Sequence, residues 1–255
     1  MRLFTFSILL QLAPWAVADV HHLFVSSWRS PHIFSLEYDS NSNSLKQVGN
    51  LSSHAGHPWL SFAFDRATLY GAERDGWSSY QVLSPTELAF QSNLTLRGRC
   101  DGGNYKHGTT SVVAQQGAPY NIFGAGRSPC GNVMASRIDG SFEKIVQNIT
   151  YQPSSRVHGM AVDSENAYLY SADVQANGIW THRIDPITGK LTYPKFKVHS
   201  EAESRPRRLV LHPKGKYLYV MLSKVNKIAV YEIKMQSNGP LLTNTGLSYP
   251  LTPPG

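Results

Sequence analysis

The chain has 255 residues, 24 Lys and Arg against 17 Asp and Glu, and a formal net charge of +7. The basic residues are scattered, apart from Arg205, Arg207 and Arg208, and no basic helix or nucleic-acid-binding motif occurs, so nucleic acid is excluded as the expected partner. A basic chain of this kind could also meet an anionic surface or an anionic small molecule, and an anionic small substrate ranks above nucleic acid.

Residues 1–18 read as a leader. Arg2 precedes an apolar stretch from Leu3 to Leu12, and Ala16-Val17-Ala18 supplies a small-residue cleavage pattern. This predicts a secretory signal peptide cut after Ala18, too short to span a bilayer of ~30 Å, and an extracellular destination. Its removal takes one basic residue and no acid, leaving +6. No later segment reaches eighteen consecutive apolar residues, so no membrane association is expected.

Residues 19–255 form one domain of repeated β units. The first begins at His22-Leu23-Phe24-Val25-Ser26-Ser27 and turns at Asp39-Ser40-Asn41-Ser42-Asn43 before Leu45. The second, the loosest copy, runs from Trp59 to Thr95 and contains Thr68-Leu69-Tyr70. The third turns at Asp139-Gly140-Ser141 before Phe142. In the fourth, four strands are expected at about 158–162, 167–172, 179–184 and 191–198. Asp185-Pro186-Ile187-Thr188-Gly189 makes its last hairpin, with Pro fixing φ and Gly supplying a positive φ. The fifth turns at Asn238-Gly239 before Leu241.

An aromatic anchor marks the second strand of the second to fifth units: Tyr70, Phe123, Tyr170 and Tyr219, at steps of 53, 47 and 49 residues. A period near fifty with four short strands per unit predicts an all-β propeller of four-stranded antiparallel blades. The segment from His22 aligns with the second strand of the fourth unit, Tyr168–Asp173, so the first blade is expected to lack its innermost strand. About five blades are present, and an open arc of that size would expose apolar faces at both ends, which points to self-association if the chain is complete as given.

Three sequons, Asn50-Leu51-Ser52, Asn93-Leu94-Thr95 and Asn148-Ile149-Thr150, fall near the outermost strand of their blades, where a sugar could be carried. The two cysteines of an export-bound chain suggest one disulfide, Cys100–Cys130.

A resemblance emerges from several runs together. Val157-His158-Gly159-Met160, Tyr168–Asp173, Ala176-Asn177, Trp180-Thr181-His182-Arg183, Pro206-Arg207 and His212-Pro213-Lys214-Gly215-Lys216-Tyr217-Leu218-Tyr219 resemble the fungal carboxy-cis,cis-muconate cyclases of the propeller lactonase superfamily. Trp77-Ser78-Ser79 and Ser84-Pro85-Thr86-Glu87 add to the match, which runs from about His21 onward. The resemblance implies a seven-bladed fold, of which this chain would lack roughly two C-terminal blades and a closing strand. It also implies cofactor-free, reversible closure of a muconate to a muconolactone. One substrate carboxylate adds across a conjugated double bond while a proton is delivered to carbon.

That chemistry needs cations to fix flat anions, a task for the two-pronged donor fork of arginine, and an acid of near-neutral pKa, a task for histidine. No zinc or calcium ligand spacing and no Gly-x-Ser-x-Gly occur, so neither a metal nor a serine nucleophile is expected. His158 stands five residues before Asp163, and Arg207 stands five before His212, which occupies the same blade position. The resemblance assigns His158 as general acid/base and Arg207 as carboxylate clamp, both facing the central channel. Arg205, Asp173 and Asn177 are further substrate-binding candidates, but the loop positions of Asp173 and Asn177 suit turn capping better than ligand contact. Strand alternation turns Arg208 away from the channel. His182 and Arg183 are expected to be solvated, His54 and His57 to lie near the channel mouth, and Trp59, Trp77 and Trp180 to lie between blades. The family carries a glutamate where this chain has Ser223, and a further family arginine would fall beyond Gly255.

The leading expectation is thus a secreted lactonising isomerase acting on an anionic polycarboxylate or its lactone. A lactone hydrolase of the 6-phosphogluconolactonase type is the second expectation, and a non-catalytic extracellular binding module is the third.

Overall fold

The computed structural model describes residues 19–95, 108–126, 129–192, 194–198 and 201–252. Residues 1–18, expected to be a leader, and Cys100 therefore lie outside the described residues; Cys130 is disulfide-bonded. Among the described residues there is no helix, hence none long and apolar enough to cross a membrane, and the strands form five antiparallel sheets.

The first sheet holds β1 (Val20–Ser27), β2 (Ser30–Asp39) and β3 (Ser44–Ser52). The second holds β4 (Trp59–Phe62), β5 (Thr68–Glu73), β6 (Gly76–Ser84) and β7 (Glu87–Thr95). The third holds β8 (Thr109–Ala114), β9 (Ile122–Gly126), β10 (Cys130–Ser136) and β11 (Phe142–Thr150). The fourth holds β12 (Val157–Val162), β13 (Tyr168–Asp173), β14 (Gly178–Arg183) and β15 (Lys195–Val198). The fifth holds β16 (Pro206–Leu211), β17 (Tyr217–Leu222), β18 (Lys227–Gln236) and β19 (Gly239–Pro250). Every sheet is an up-and-down meander, and the first has three strands where the others have four, as the alignment of its opening strand with Tyr168–Asp173 anticipates.

The hairpins close as their residues dictate. Asp185 Oδ1 accepts from the backbone N–H of Ile187 (3.1 Å) and Thr188 (2.7 Å), while Gly189 takes φ +65°. The fourth strand of that sheet starts later than expected. Ile184 and Leu191 form one bridge, and pairing resumes only at Lys195. Pro194, which has no N–H to give to the ladder, interrupts it.

Apolar clusters fill the space between consecutive sheets. Ile33, Leu69 and Tyr80 join the first and second; Tyr70, Trp77, Val112 and Met134 join the second and third. Phe123, Tyr151, Met160 and Trp180 join the third and fourth; Tyr170, Ile179, Leu218 and Tyr231 join the fourth and fifth. Trp77 is fully buried, and its indole lies against Gly124, where an added Cβ would stand 2.4 Å from the ring. Any side chain at 124 would displace an anchor whose own removal costs about 3–5 kcal/mol. The innermost strands β4, β8, β12 and β16 lie side by side in that order, so their first residues converge at one end of the axis. That convergence builds the site.

Candidate functional site at the propeller axis

Three innermost strands share one irregularity. The register shifts between Thr109 and Ser111 in β8, between Val157 and Gly159 in β12, and between Pro206 and Arg208 in β16. Thr110, His158 and Arg207 are the extra, unpaired residues of these bulges. A bulge re-aims its side chain instead of committing it to the ladder. The equal spacing of His158 and Arg207 from their strand ends thus has a structural reason. Thr110 shows where such a residue reaches: its Oγ1 donates to the Val157 carbonyl of the next blade at 2.9 Å. His158 is half-buried and Arg207 exposed, on neighbouring strands. The strands approach closely because residue 159 is glycine; a Cβ there would stand 2.8 Å from the Arg207 carbonyl and 2.9 Å from Arg208 Cα.

Arg208 corrects the expectation from alternation. The bulge at Arg207 adds one residue to the strand and restarts the alternation, which turns Arg208 inward. Its Nη1 donates to the His158 carbonyl at 2.5 Å and reaches the Thr110 carbonyl at 3.5 Å. Its guanidinium carbon lies 3.9 Å from the centre of the Trp59 ring. One side chain from β16 therefore touches β12, β8 and β4. Burial, and secondarily the charge of Arg207, push its pKa down to about 10. Among the described residues no carboxylate pairs with it. A partly desolvated cation held only by carbonyls and an aromatic face is an unfinished electrostatic arrangement, and an anion completes it.

Of the three further expected residues, Asp173 and Asn177 have side chains engaged in turns, while the Arg205 side chain stays exposed. Asp173 is fully buried. Its Oδ1 accepts from the N–H groups of Arg156 (2.9 Å), Gln175 (3.2 Å) and Ala176 (3.0 Å), and its Oδ2 accepts from Trp180 Nε1 at 2.9 Å. Both oxygens are thereby spent on the β13–β14 turn and a core indole. Asn177, at φ +53°, accepts on Oδ1 from Arg205 N–H (2.8 Å) and Ser204 Oγ (3.1 Å), and donates through Nδ2 to the Glu201 carbonyl (3.0 Å). It ties the fourth blade to the segment leading into β16. Arg205 has an exposed side chain, and its carbonyl accepts from Ser223 Oγ at 3.0 Å. Ser223 thus closes a turn at the position where a carboxylate was expected from the resemblance.

One histidine reading changes, and a second histidine gains a structural role. His182 is 1 % exposed, not solvated, and meets Tyr151 edge-on with ring centres 5.6 Å apart. Burial pushes its pKa down to about 4. His57 is fully buried: its Nδ1 donates to the Ala72 carbonyl at 3.0 Å, and its Nε2 accepts from the Tyr80 hydroxyl at 2.8 Å. Burial lowers its pKa and holds Tyr80 up at about 12, so this pair is neutral structural material. His54 lies partly exposed, its Nδ1 3.0 Å from Glu73 Oε2, which also accepts from Ser78 Oγ at 2.8 Å. A cleft of about 290 Å³ lined by Phe64, Tyr70, Tyr120 and Arg137 opens at the opposite strand ends and holds none of these residues.

Antiparallel sheets with innermost strands gathered on one axis are what the family model for lactonases with a seven-bladed β-propeller describes, and that model matches residues 22–246. The chain belongs to the seven-bladed β-propeller lactonase family. A carboxy-cis,cis-muconate cyclase of Neurospora crassa is 32% identical over 247 residues, covering 92% of this lactonase-family chain and 66% of the relative. Muconate cycloisomerase 1 of Cutaneotrichosporon cutaneum is 25% identical over 222 residues, covering 80% of the chain and 58% of the relative. The chain thus spans less than two thirds of the length of each. The periplasmic gluconolactonase PpgL of Pseudomonas aeruginosa superposes with a TM-score of 0.74 at 20% identity, covering 93% of this chain and 70% of that one. A Lactobacillus plantarum protein gives the same TM-score at 17% identity, covering 93% and 68%. These two likenesses concern the fold.

Proposed function

We propose that this lactonase-family propeller binds an unsaturated polycarboxylate, or its lactone, at the axis and interconverts the two without a cofactor. Arg207 clamps one substrate carboxylate at the channel mouth. A second substrate carboxylate adds through oxygen to the conjugated double bond, forming the C–O bond of the ring. The displaced π electrons take a proton at carbon from the imidazolium of His158, and the reverse reaction returns that proton to the neutral imidazole. The ionised substrate takes up one proton net, and the neutral imidazole of His158 regains it from solvent before the next turnover. One observation carries this reading: the axis holds the Arg208 guanidinium without a carboxylate among the described residues, next to Arg207. The similarity to a Neurospora crassa carboxy-cis,cis-muconate cyclase supports the choice of substrate class.

Export accompanies this function. The apolar leader and its small-residue cleavage pattern support removal of residues 1–18 and secretion of the remainder as one propeller domain.

The test mixes purified protein with 3-carboxy-cis,cis-muconate and follows the diene absorbance. Decay is expected, and His158→Ala and Arg207→Ala each suppress it by at least a hundredfold, the usual worth of a positioned acid/base. A folded wild-type protein that leaves the absorbance unchanged rejects cyclisation. Gluconolactone in the same assay measures the hydrolytic alternative, which the fold of the Pseudomonas aeruginosa gluconolactonase favours.

A further inference from the structure

The three sequons share one structural address. In the second sheet the residue after the anchor aromatic, Gly71, pairs with Ser78, which pairs with Asn93. In the third, Gly124 after Phe123 pairs with Asn132, which pairs with Asn148. In the first, Val25 after Phe24 pairs with Phe34, which pairs with Asn50. Asn50, Asn93 and Asn148 therefore occupy the same register position on the outermost strands of three consecutive blades.

The middle residue fixes which way each sequon faces. Leu51 packs into the cluster between the first and second sheets, Leu94 into the next, and Ile149 into the third. Alternation along a strand then turns the flanking Asn and Ser or Thr to the other face. All six flanking residues are exposed: Asn50 and Ser52, Asn93 and Thr95, Asn148 and Thr150. Asn148 is also oriented, because its Oδ1 accepts from Asn132 Nδ2 at 2.7 Å and this leaves its own Nδ2, the atom that takes a sugar, outward. The pattern stops at the fourth blade. There the matching position holds Phe196, seated on Trp180 with ring centres 4.3 Å apart, and in the fifth blade it holds Ser248.

We propose that Asn50, Asn93 and Asn148 carry N-linked glycans that form a band along the rim of the first three blades, leaving the fourth and fifth rims and the axis bare. The inference rests on the export reading above. The donor is an oligosaccharide linked to a polyprenyl diphosphate. Each asparagine Nδ2 forms a bond to the anomeric carbon of the first sugar as the bond from that carbon to the diphosphate oxygen breaks. The amide gives up one proton, and the lipid diphosphate leaves. Three inter-strand spacings, roughly 14 Å in all, separate the rim from the innermost strand, so the sugars do not obstruct the channel. Glycans there keep an outer strand edge from pairing with another chain.

The test translates the full chain in the presence of microsomes and in a secreting eukaryotic host, then reads the mass before and after N-glycosidase. The expected product lacks residues 1–18 and carries three glycans. Asn50→Gln, Asn93→Gln and Asn148→Gln each remove one, and so do Ser52→Ala, Thr95→Ala and Thr150→Ala, which keep the asparagine. Attachment precedes folding, so a poorly folding variant still reports. A chain cleaved after Ala18 but bearing fewer than three glycans overturns the band and leaves export standing. A chain that keeps Met1 outside the microsomes overturns both.

Discussion

Charge is handled in opposite ways at the rim and at the axis. Away from the axis a lysine finds a carboxylate: Lys46 lies 2.7 Å from Glu37 and Lys234 lies 3.1 Å from Glu232, with both lysine side chains exposed. At the axis Arg207 and Arg208 stand together without one among the described residues, and Arg208 is partly buried. Two carboxylates at the same end of the molecule, Asp173 and Glu73, are buried, yet they accept from turn N–H groups, an indole, a hydroxyl and His54 instead of neutralising either arginine. The lesson is that the fold spends its buried acids on turns and leaves its axial cations for something from outside.

The sharpest way to break this contrast is at Asp173. If its carboxylate serves the turn, Asp173→Ala strands buried donors and lowers stability by about 4 kcal/mol, read as a urea midpoint shift. A shift near zero would return Asp173 to the pool of ligand-binding groups.

Acid probes the same buried polar scaffold. His182 is held neutral, with a folded pKa of about 4 against an ordinary value near 6.5. Above pH 6.5 both states are neutral and no penalty exists. As pH falls from there toward 4, the unfolded chain binds the proton first and stability drops by up to about 3 kcal/mol. Buried His57, also held low, acts in the same direction. His182→Phe should flatten most of that slope in urea melts taken from pH 7 to pH 4, and an unchanged slope would place the titration elsewhere.

Arg208 should show a smaller effect on stability, and one of unusual sign. Replacing a buried, unneutralised guanidinium by methionine leaves stability unchanged or raises it by about 1 kcal/mol. A large loss would make Arg208 a strut rather than a ligand-binding group. At the rim, Lys46→Ala should leave both the melting midpoint and ligand affinity unchanged, because an exposed pair adds little.

Much of this was legible from residue order. The anchors Tyr70, Phe123, Tyr170 and Tyr219 all fall on second strands, and the first three pack against the following blade, a demand that repeats with the blade. The three-stranded first sheet followed from the likeness of its opening strand to Tyr168–Asp173. Arg208 was misread because alternation counts residues, whereas a bulge inserts one without any composition that announces it; Thr110, His158 and Arg207 share a position and no chemistry. His182 was misread because Thr181-His182-Arg183 has the polarity of a solvated strand, and only Tyr151, thirty-one residues earlier, closes over it. The outermost-strand placement of the three sequons was legible, but their shared register position was not, because their spacing in sequence is uneven and only cross-strand pairing aligns them.

The most direct test of the axial claim is calorimetric titration of the wild type, Arg207→Ala and Arg208→Met with a non-reactive tricarboxylate such as citrate, at low and high salt. Saturable one-to-one binding is expected, weakened tenfold to a hundredfold by either substitution, the range of one charge-assisted hydrogen bond. Equal affinity in all three proteins would contradict the claim that these two arginines receive the substrate's charge.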